Sequence, residues 1–159
     1  MVRQGIKKII APKSDLRVVG ELADGLELLE FLDNYLPQLI ILDISMPYLG
    51  GIEATRMVKA GHPGIKILIL TLHNRREYVE QARLAGAEGY LLKDRVDREL
   101  LAAIATLRSG GAYLSPGLVS RPSDSPAEVI PAPHGSNKGP RTNDAGTDHC
   151  HRKRAAHRT

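Results

Sequence analysis

The sequence predicts an α/β fold in which helices cover both faces of a parallel sheet. Segments with a helical spacing of apolar residues alternate with short, continuous apolar runs, a pattern typical of βα units. Runs that are apolar along their whole length are typical of parallel strands buried on both faces. Three such runs occupy residues 39–43, 65–71 and 89–93. The expected architecture is a doubly wound parallel sheet.

The chain is expected to begin with a helix followed by a short strand. One face of that helix carries four apolar residues, Val2, Ile6, Ile9 and Ile10, and Pro12 stops it. Residues 16–22 (LRVVGEL) are then predicted to form a strand.

A second helix and a second strand follow. Asp24 with Glu27 three places later is a capping-box pattern, which marks the start of a helix. This helix is expected to end before Pro37 and to bury the stripe Leu28, Leu29, Leu32 and Leu36. The run LIILD at 39–43 is the next predicted strand.

The second half repeats the alternation. A helix is predicted from about 52 to 59, followed by the strand at 65–71. Asn74 with Glu77 predicts another capped helix, which Gly86 or Gly89 closes before the strand at 89–93. A last helix is marked by its apolar stripe, Leu100, Leu101, Ile104 and Leu107.

The three apolar strands each end on a different polar residue, Asp43, Thr71 and Lys93. The carboxyl ends of parallel strands meet at one edge of a sheet, so these side chains are expected to lie close together. An ionised carboxylate among apolar residues is costly to bury without a partner. Asp43 could simply cap its strand or pair with Lys93, and Thr71 and Lys93 are ordinary at strand ends. Their joint placement instead favours a site that holds a phosphoryl group.

Charge and composition divide the chain at residue 116. Residues 1–116 carry 15 Lys and Arg against 14 Asp and Glu, whereas residues 117–159 carry 7 against 4. The second part is rich in Pro, Ser, Gly and His and lacks apolar periodicity, so we expect a disordered basic tail after one domain at 1–116. No membrane-spanning run or secretory signal is visible, and a cytoplasmic protein is expected.

The motifs LIILDISMP, LILTLH and GYLLKD, in this order and spacing, resemble the receiver domain of bacterial two-component response regulators. The segments VVGELADG, GIEATR and EYVEQARLAGAEGYLLKD are similar to receivers of the nitrate-regulator type, in which a helix-turn-helix domain follows the receiver. The resemblance covers residues 1–116 and implies a flavodoxin-like receiver fold.

The resemblance also implies roles for individual residues. Asp43 would accept a phosphoryl group from a phosphohistidine, Thr71 would hydrogen-bond it and Lys93 would pair with it. Tyr90 would be the switch aromatic that swings inward, although a half-buried strand aromatic is the simpler reading of its position. Ser45 matches the residue whose backbone carbonyl contacts Mg²⁺. Such a receiver is not an enzyme beyond its own phosphotransfer and dephosphorylation.

The sequence departs from that family at its amino terminus. The family places a strand before the first helix, and an acidic pair at the end of that strand binds Mg²⁺. Here the helix at 2–10 comes first, which leaves Asp43 and the Ser45 carbonyl as candidate ligands. We therefore expect weak or absent Mg²⁺ binding, without replacement by Glu21 and Asp24, and an unpaired edge between the strands around Val18 and Ile41.

The family implies a sensor histidine kinase as partner and a possible homodimer. DNA binding would require the output domain, and no helical pattern follows YLSP at 113–116. A phosphorylation-independent interaction module or a non-functional fragment is the alternative. A phosphatase of the haloacid-dehalogenase type also places Asp, Thr and Lys at strand ends, but it needs a second Asp where Ser45 stands.

Overall fold

The structure, a computed structural model, describes residues 2–119. Within that range four strands form one sheet: β1 (Leu39–Asp43), β2 (Lys66–Thr71), β3 (Gly89–Leu92) and β4 (Tyr113–Leu114). The helices are α1 (Val2–Ile10), α2 (Gly25–Leu32), α3 (Gly51–Gly61), α4 (Arg76–Ala85), α5 (Val96–Arg108) and the four-residue α6 (Pro116–Val119). None of these helices is long and apolar enough to cross a bilayer.

The sheet is parallel throughout, with the strand order β1-β2-β3-β4. Its register sets Asp43 beside Leu70 and Thr71 beside Leu92, so the carboxyl ends of β1, β2 and β3 share one edge. The predicted α/β fold with a parallel sheet and helices is therefore confirmed.

Two apolar layers enclose the sheet. On one face, Ile40, Leu42, Ile67 and Ile69 pack with α2, α3 and α4. On the other face, Leu68, Leu70 and Leu91 pack with α1 and α5. Because side chains alternate between faces along a strand, a strand covered on both sides is apolar at every position. This is why β2 shows a continuous apolar run.

Helix starts were predicted with mixed success. The Asp24 carboxylate accepts hydrogen bonds from the backbone N–H groups of Leu26 and Glu27, at 2.8 and 3.0 Å, which confirms Asp24 as the N-cap. The Glu27 carboxylate reaches back as expected, but it accepts from the N–H of Ala23, at 2.7 Å, rather than from that of Asp24. The Asn74 cap was wrong, because α4 begins after Arg75 without any side-chain cap. The expected burial of Leu36 was also wrong: α2 ends at Leu32, and Leu36 is exposed.

The predicted strand at 16–22 does not form. A strand needs a neighbour for its backbone groups, and no backbone hydrogen bond joins residues 17–22 to another described residue. Conversely, β4 was not predicted, since two residues are too short to show a period. Residues 117–119, assigned to the tail, belong to α6. The rest of the predicted tail lies outside the described residues.

Candidate functional site

Asp43 lies at the carboxyl end of β1, where the strand gives way to the loop before α3. Its Oδ1 accepts a hydrogen bond from the backbone N–H of Ser45 at 2.9 Å. About a third of its side chain is exposed, at 35%. The carboxylate is thus anchored by the loop on one oxygen and remains open to a reactant from solvent.

Lys93 supplies the cation of the site. Its Nζ forms an ion pair with Asp43 Oδ2, and its own side chain is mostly buried. Lys93 follows β3 as the first residue of a short 3₁₀ helix, Lys93–Arg95, rather than ending the strand as predicted. The structure therefore joins two of the three predicted residues directly, across 50 positions of sequence.

Thr71 ends β2, the strand between those that carry Asp43 and lead into Lys93. Its side chain is fully buried, and its hydroxyl oxygen accepts a hydrogen bond from the backbone N–H of His73 at 2.9 Å. This bond uses the oxygen as an acceptor and leaves the hydroxyl proton available to donate. No hydrogen bond joins Thr71 to Asp43 or Lys93 within residues 2–119.

Tyr90 points into the protein from β3, with only 3% of its surface exposed. Its phenol oxygen has no hydrogen-bond partner among the described residues. Burial raises the pKa of the phenol above its usual value. The nearby Thr71 hydroxyl opposes this rise in pKa, whereas Tyr78 adds to it. The aromatic ring is therefore packed inside beside the Thr71 hydroxyl.

Two further residues help to position the site, and neither was predicted from the sequence. A Cβ on Gly51, at the start of α3, would lie 2.3 Å from the backbone oxygen of Asp43, so only glycine permits this approach. The backbone N–H of Ser115 donates to the Tyr90 carbonyl at 2.9 Å, which ties the segment after α5 to the strand carrying Tyr90. The glycine pair at 50–51 was a visible signal for the first, whereas Ser115 carries none.

The residues present do not fit a Mg²⁺ site. Mg²⁺ is usually held by one or two carboxylates together with water molecules, in near-octahedral geometry. Here both oxygens of the Asp43 carboxylate are already engaged, by the Ser45 N–H and the Lys93 ammonium, and residues 2–119 contain no cluster of three His, Cys, Asp or Glu suited to a metal. Glu21 pairs with Lys7 at 2.9 Å and Asp24 caps α2. Within residues 2–119 neither carboxylate forms a hydrogen bond or ion pair with the residues of the site. The role of the Ser45 carbonyl stays a prediction.

Comparison with known proteins places this geometry in a family. The response regulator receiver domain family matches residues 1–105. The transcriptional regulatory protein DegU of Brevibacillus brevis is 37% identical over 116 residues, which are 73% of this chain and 49% of DegU. The chain spans about half the length of the curated relatives it matches.

Solved structures of response regulators share this fold. A two-component response regulator of the LuxR family from an Aurantimonas species is 33% identical, with a TM-score of 0.71 over 74% of this chain and 84% of that one. The isolated receiver domain of RcsB from Salmonella enterica serovar Typhimurium, studied with the phosphomimetic BeF₃⁻, is 28% identical, with a TM-score of 0.68 over 73% and 86%. The chain belongs to the response regulator receiver domain family.

Proposed function

We propose that this chain accepts a phosphoryl group on Asp43 as the receiver of a two-component pathway. The observation that carries the proposal is the joint placement of three groups at the carboxyl edge of the sheet: the Asp43 carboxylate, which is 35% exposed, its ion-pair partner Lys93, and Thr71 at the end of the strand between them. A purely structural ion pair would not need an exposed carboxylate. Phosphoryl transfer needs positioning and charge neutralisation more than covalent machinery. A carboxylate nucleophile, a cation and a hydroxyl donor supply these.

In the proposed reaction a carboxylate oxygen of Asp43 attacks the phosphorus of a phosphohistidine on a sensor histidine kinase. The new O–P bond forms as the N–P bond breaks, and the histidine leaves with the electron pair of that bond. Lys93 already contacts Asp43 Oδ2 and would follow the added negative charge. Thr71 would donate its free hydroxyl proton to a phosphoryl oxygen.

The proposed signal is a change around Thr71 and Tyr90. A Thr71 hydroxyl drawn towards a phosphoryl group would move away from the buried phenol, which already lacks a hydrogen-bond partner. Tyr90 would shift in response and carry β4 with it through the Ser115 bond. The two arrangements would then differ in the surface formed by α5, β4 and α6.

Receiver domains of this family typically bind Mg²⁺. Because the donor set here does not fit that ion, we propose that any phosphorylation of this chain depends on Lys93 rather than on a metal. Transcriptional control, which the relatives' names carry, we assign to the part of those longer proteins that this chain does not cover. A homodimer stays a prediction.

The test is intact mass spectrometry of the chain after incubation with acetyl phosphate, with Mg²⁺ and with a chelator. We expect one phosphoryl adduct in both arms, lost in Asp43→Asn and kept in the matched control Asp94→Asn, which changes an exposed carboxylate beside Lys93. An unmodified chain that still unfolds cooperatively would contradict the proposal and favour a phosphorylation-independent interaction module. An adduct that requires Mg²⁺ would contradict the metal-free part alone.

A further inference from the structure

Glu99 in α5 is a mostly buried carboxylate that lies outside the phosphoacceptor site. Only 13% of its side chain is exposed. Its Oε2 accepts from Ser115 Oγ at 2.5 Å and from Tyr113 OH at 3.2 Å. Its Oε1 accepts from Arg95 Nη1 at 3.3 Å. Burial raises the pKa of the Tyr113 phenol, the Glu99 charge adds to that rise, and Arg95 opposes it. One carboxylate thus joins the start of α5 to the residues that follow this helix.

The segment 113–118 is held to the rest of the fold mainly through Ser115. This residue is fully buried, and its N–H donates to the Tyr90 carbonyl at 2.9 Å. Its own carbonyl accepts from the N–H of Leu118 at 2.8 Å, and Leu118 packs into the apolar layer that contains Tyr90. The bond from the Ser115 hydroxyl to Glu99 adds a contact with α5. The position of this segment therefore depends on β3 and on α5 together.

Arg95 contacts the same segment at a second place, Gly117. A Cβ built on Gly117 would lie 3.2 Å from Nε and 3.3 Å from Cζ of Arg95. The guanidinium can lie this close to the backbone because Gly117 has no side chain. Arg95 therefore contacts both Glu99 and segment 113–118, and a movement of its side chain would change both contacts.

A single turn links Arg95 to Asp43. Arg95 is the last residue of the 3₁₀ helix Lys93–Arg95, whose first residue pairs with Asp43. Because such a helix has roughly three residues per turn, its first and last side chains point to different sides. The Lys93 side chain is only 14% exposed, so its ammonium must move to reach water if its anionic partner is lost. That movement would shift the Arg95 side chain relative to segment 113–118.

We propose that Arg95 and Glu99 are positioning residues that couple the Asp43–Lys93 ion pair to segment 113–118. The 3₁₀ helix carries a movement of Lys93 to the guanidinium of Arg95. The guanidinium passes it on through its contacts with Glu99 and with the backbone of the segment.

This route is separate from the change proposed at Thr71 and Tyr90. Among the described residues the Thr71 hydroxyl forms no hydrogen bond with Asp43 or Lys93, so removal of the Asp43 charge leaves its contacts intact. The inference deepens the proposed function, because a phosphoryl group would be the natural change of charge at Asp43. Its test changes that charge by substitution and needs no phosphorylation, so the failure of one proposal is distinguishable from the failure of the other.

The experiment measures hydrogen exchange by NMR at the amides of Ser115 and Leu118 in the full chain. Asp43→Asn removes the anionic partner of Lys93. We expect both amides to exchange about two- to thirtyfold faster, the range of couplings through packed side chains. Rates are expressed relative to the amide of Ile69 in β2, which reports any change in global stability. Lys93→Met breaks the pair from the other side and should give the same increase, and it replaces Asp43→Asn if that variant does not fold.

Arg95→Met distinguishes coupling from simple support of the segment. Loss of the guanidinium should by itself speed exchange at Leu118, and Asp43→Asn should then add nothing further. A merely structural Arg95 would leave the two effects multiplied. Glu99→Gln should likewise reduce the response at Ser115, whose hydroxyl it binds.

The matched control is Arg98→Met, which removes an exposed arginine three residues further along. This variant should keep the full response to Asp43→Asn. Unchanged exchange at both amides in Asp43→Asn and in Lys93→Met would overturn the proposal. An undiminished response in the presence of Arg95→Met would also overturn it, because the change would then reach the segment by another route. A chain that shows the response but gains no phosphoryl adduct would support this coupling and contradict the proposed function alone.

Discussion

Strands β1 and β2 show how the same kind of sequence behaves with one neighbour and with two. Both are runs of Leu and Ile that end on a polar residue. β2 lies between β1 and β3 and is buried from Ile67 to Thr71, whereas β1 alternates between buried and half-buried residues and lines a cavity of about 720 Å³. An apolar run is therefore enough to predict a strand, but the neighbouring strands determine how completely the side chains of that strand are buried.

The same contrast extends to the regions around them. The strand β2 bonds to a neighbour on both of its edges, and the segments after β2 and β3 continue this bonding, for example from Glu88 N to Ile67 O and from Ser115 N to Tyr90 O. Residues 17–22, which also line the cavity, form no backbone–backbone hydrogen bond within residues 2–119. The phosphoacceptor candidate Asp43 lies between these two regions, and its carboxylate is held by the Ser45 N–H and by Lys93.

The largest effect on stability is expected when one apolar side chain in each of these two strands is truncated to alanine. Leu68→Ala in β2 removes a fully buried side chain and should lower the free energy of unfolding by about 3 kcal/mol. Ile41→Ala in β1 removes a half-buried side chain at the cavity and should cost roughly 1 kcal/mol. Urea unfolding of both variants measures the difference. Equal losses would mean that β1 is packed as fully as β2.

An intermediate effect is expected at Glu99 in α5, whose carboxylate accepts from Ser115 Oγ at 2.5 Å and Tyr113 OH at 3.2 Å. Glu99→Gln turns one acceptor into a donor and should cost about 1–2 kcal/mol, because the fully buried Ser115 loses its charged partner. The matched control is Glu21→Gln, which breaks a half-exposed ion pair with Lys7 and should cost under about 0.5 kcal/mol. Thermal unfolding of both variants measures the two stability losses. A larger loss for Glu21→Gln than for Glu99→Gln would contradict the expected difference between the two regions.

The smallest effect is expected at Tyr90, and it depends on pH. Burial raises the pKa of this phenol in the folded state above its unfolded value. The native state therefore holds the proton more tightly, so this contribution to stability is intact below pH ~10 and is lost as the pH rises through the folded pKa. Tyr90→Phe should lose less stability above pH 10 than the original chain, and should be nearly neutral at pH 7, since the phenol has no partner to lose.

Tyr35→Phe is the control for that prediction, because Tyr35 lies on the cavity side and is 40% exposed. A Tyr90→Phe profile identical to the original would show that the phenol is not held in the interior.

Sequence reasoning reached most of the fold because the signals were local. The capping box at Asp24 and Glu27 and the apolar runs of β1 and β2 depend on neighbours a few residues away. It failed at residues 16–22, where the pattern of a strand is present but no strand pairs with it among residues 2–119. It also failed at Asn74, where the chain places Arg75 before the first turn of α4 without a side-chain cap.

The candidate site divides in the same way. Asp43, Thr71 and Lys93 could be predicted because each follows an apolar run, and parallel topology brings such ends together. The close approach of Gly51 to the Asp43 carbonyl and the Ser115 bond to Tyr90 could not, because both depend on how distant segments pack. The cavity beside β1 likewise emerges only when the helices are in place.

The most direct test of the central claim is to locate the phosphoryl group after incubation with acetyl phosphate. Borohydride reduces an aspartyl phosphate to homoserine, and peptide mass mapping then identifies the residue that carried it. We predict homoserine at position 43 and at no other aspartate. Modification at Asp94 or another exposed carboxylate, with position 43 unchanged, would contradict the assignment of Asp43 as the phosphoacceptor.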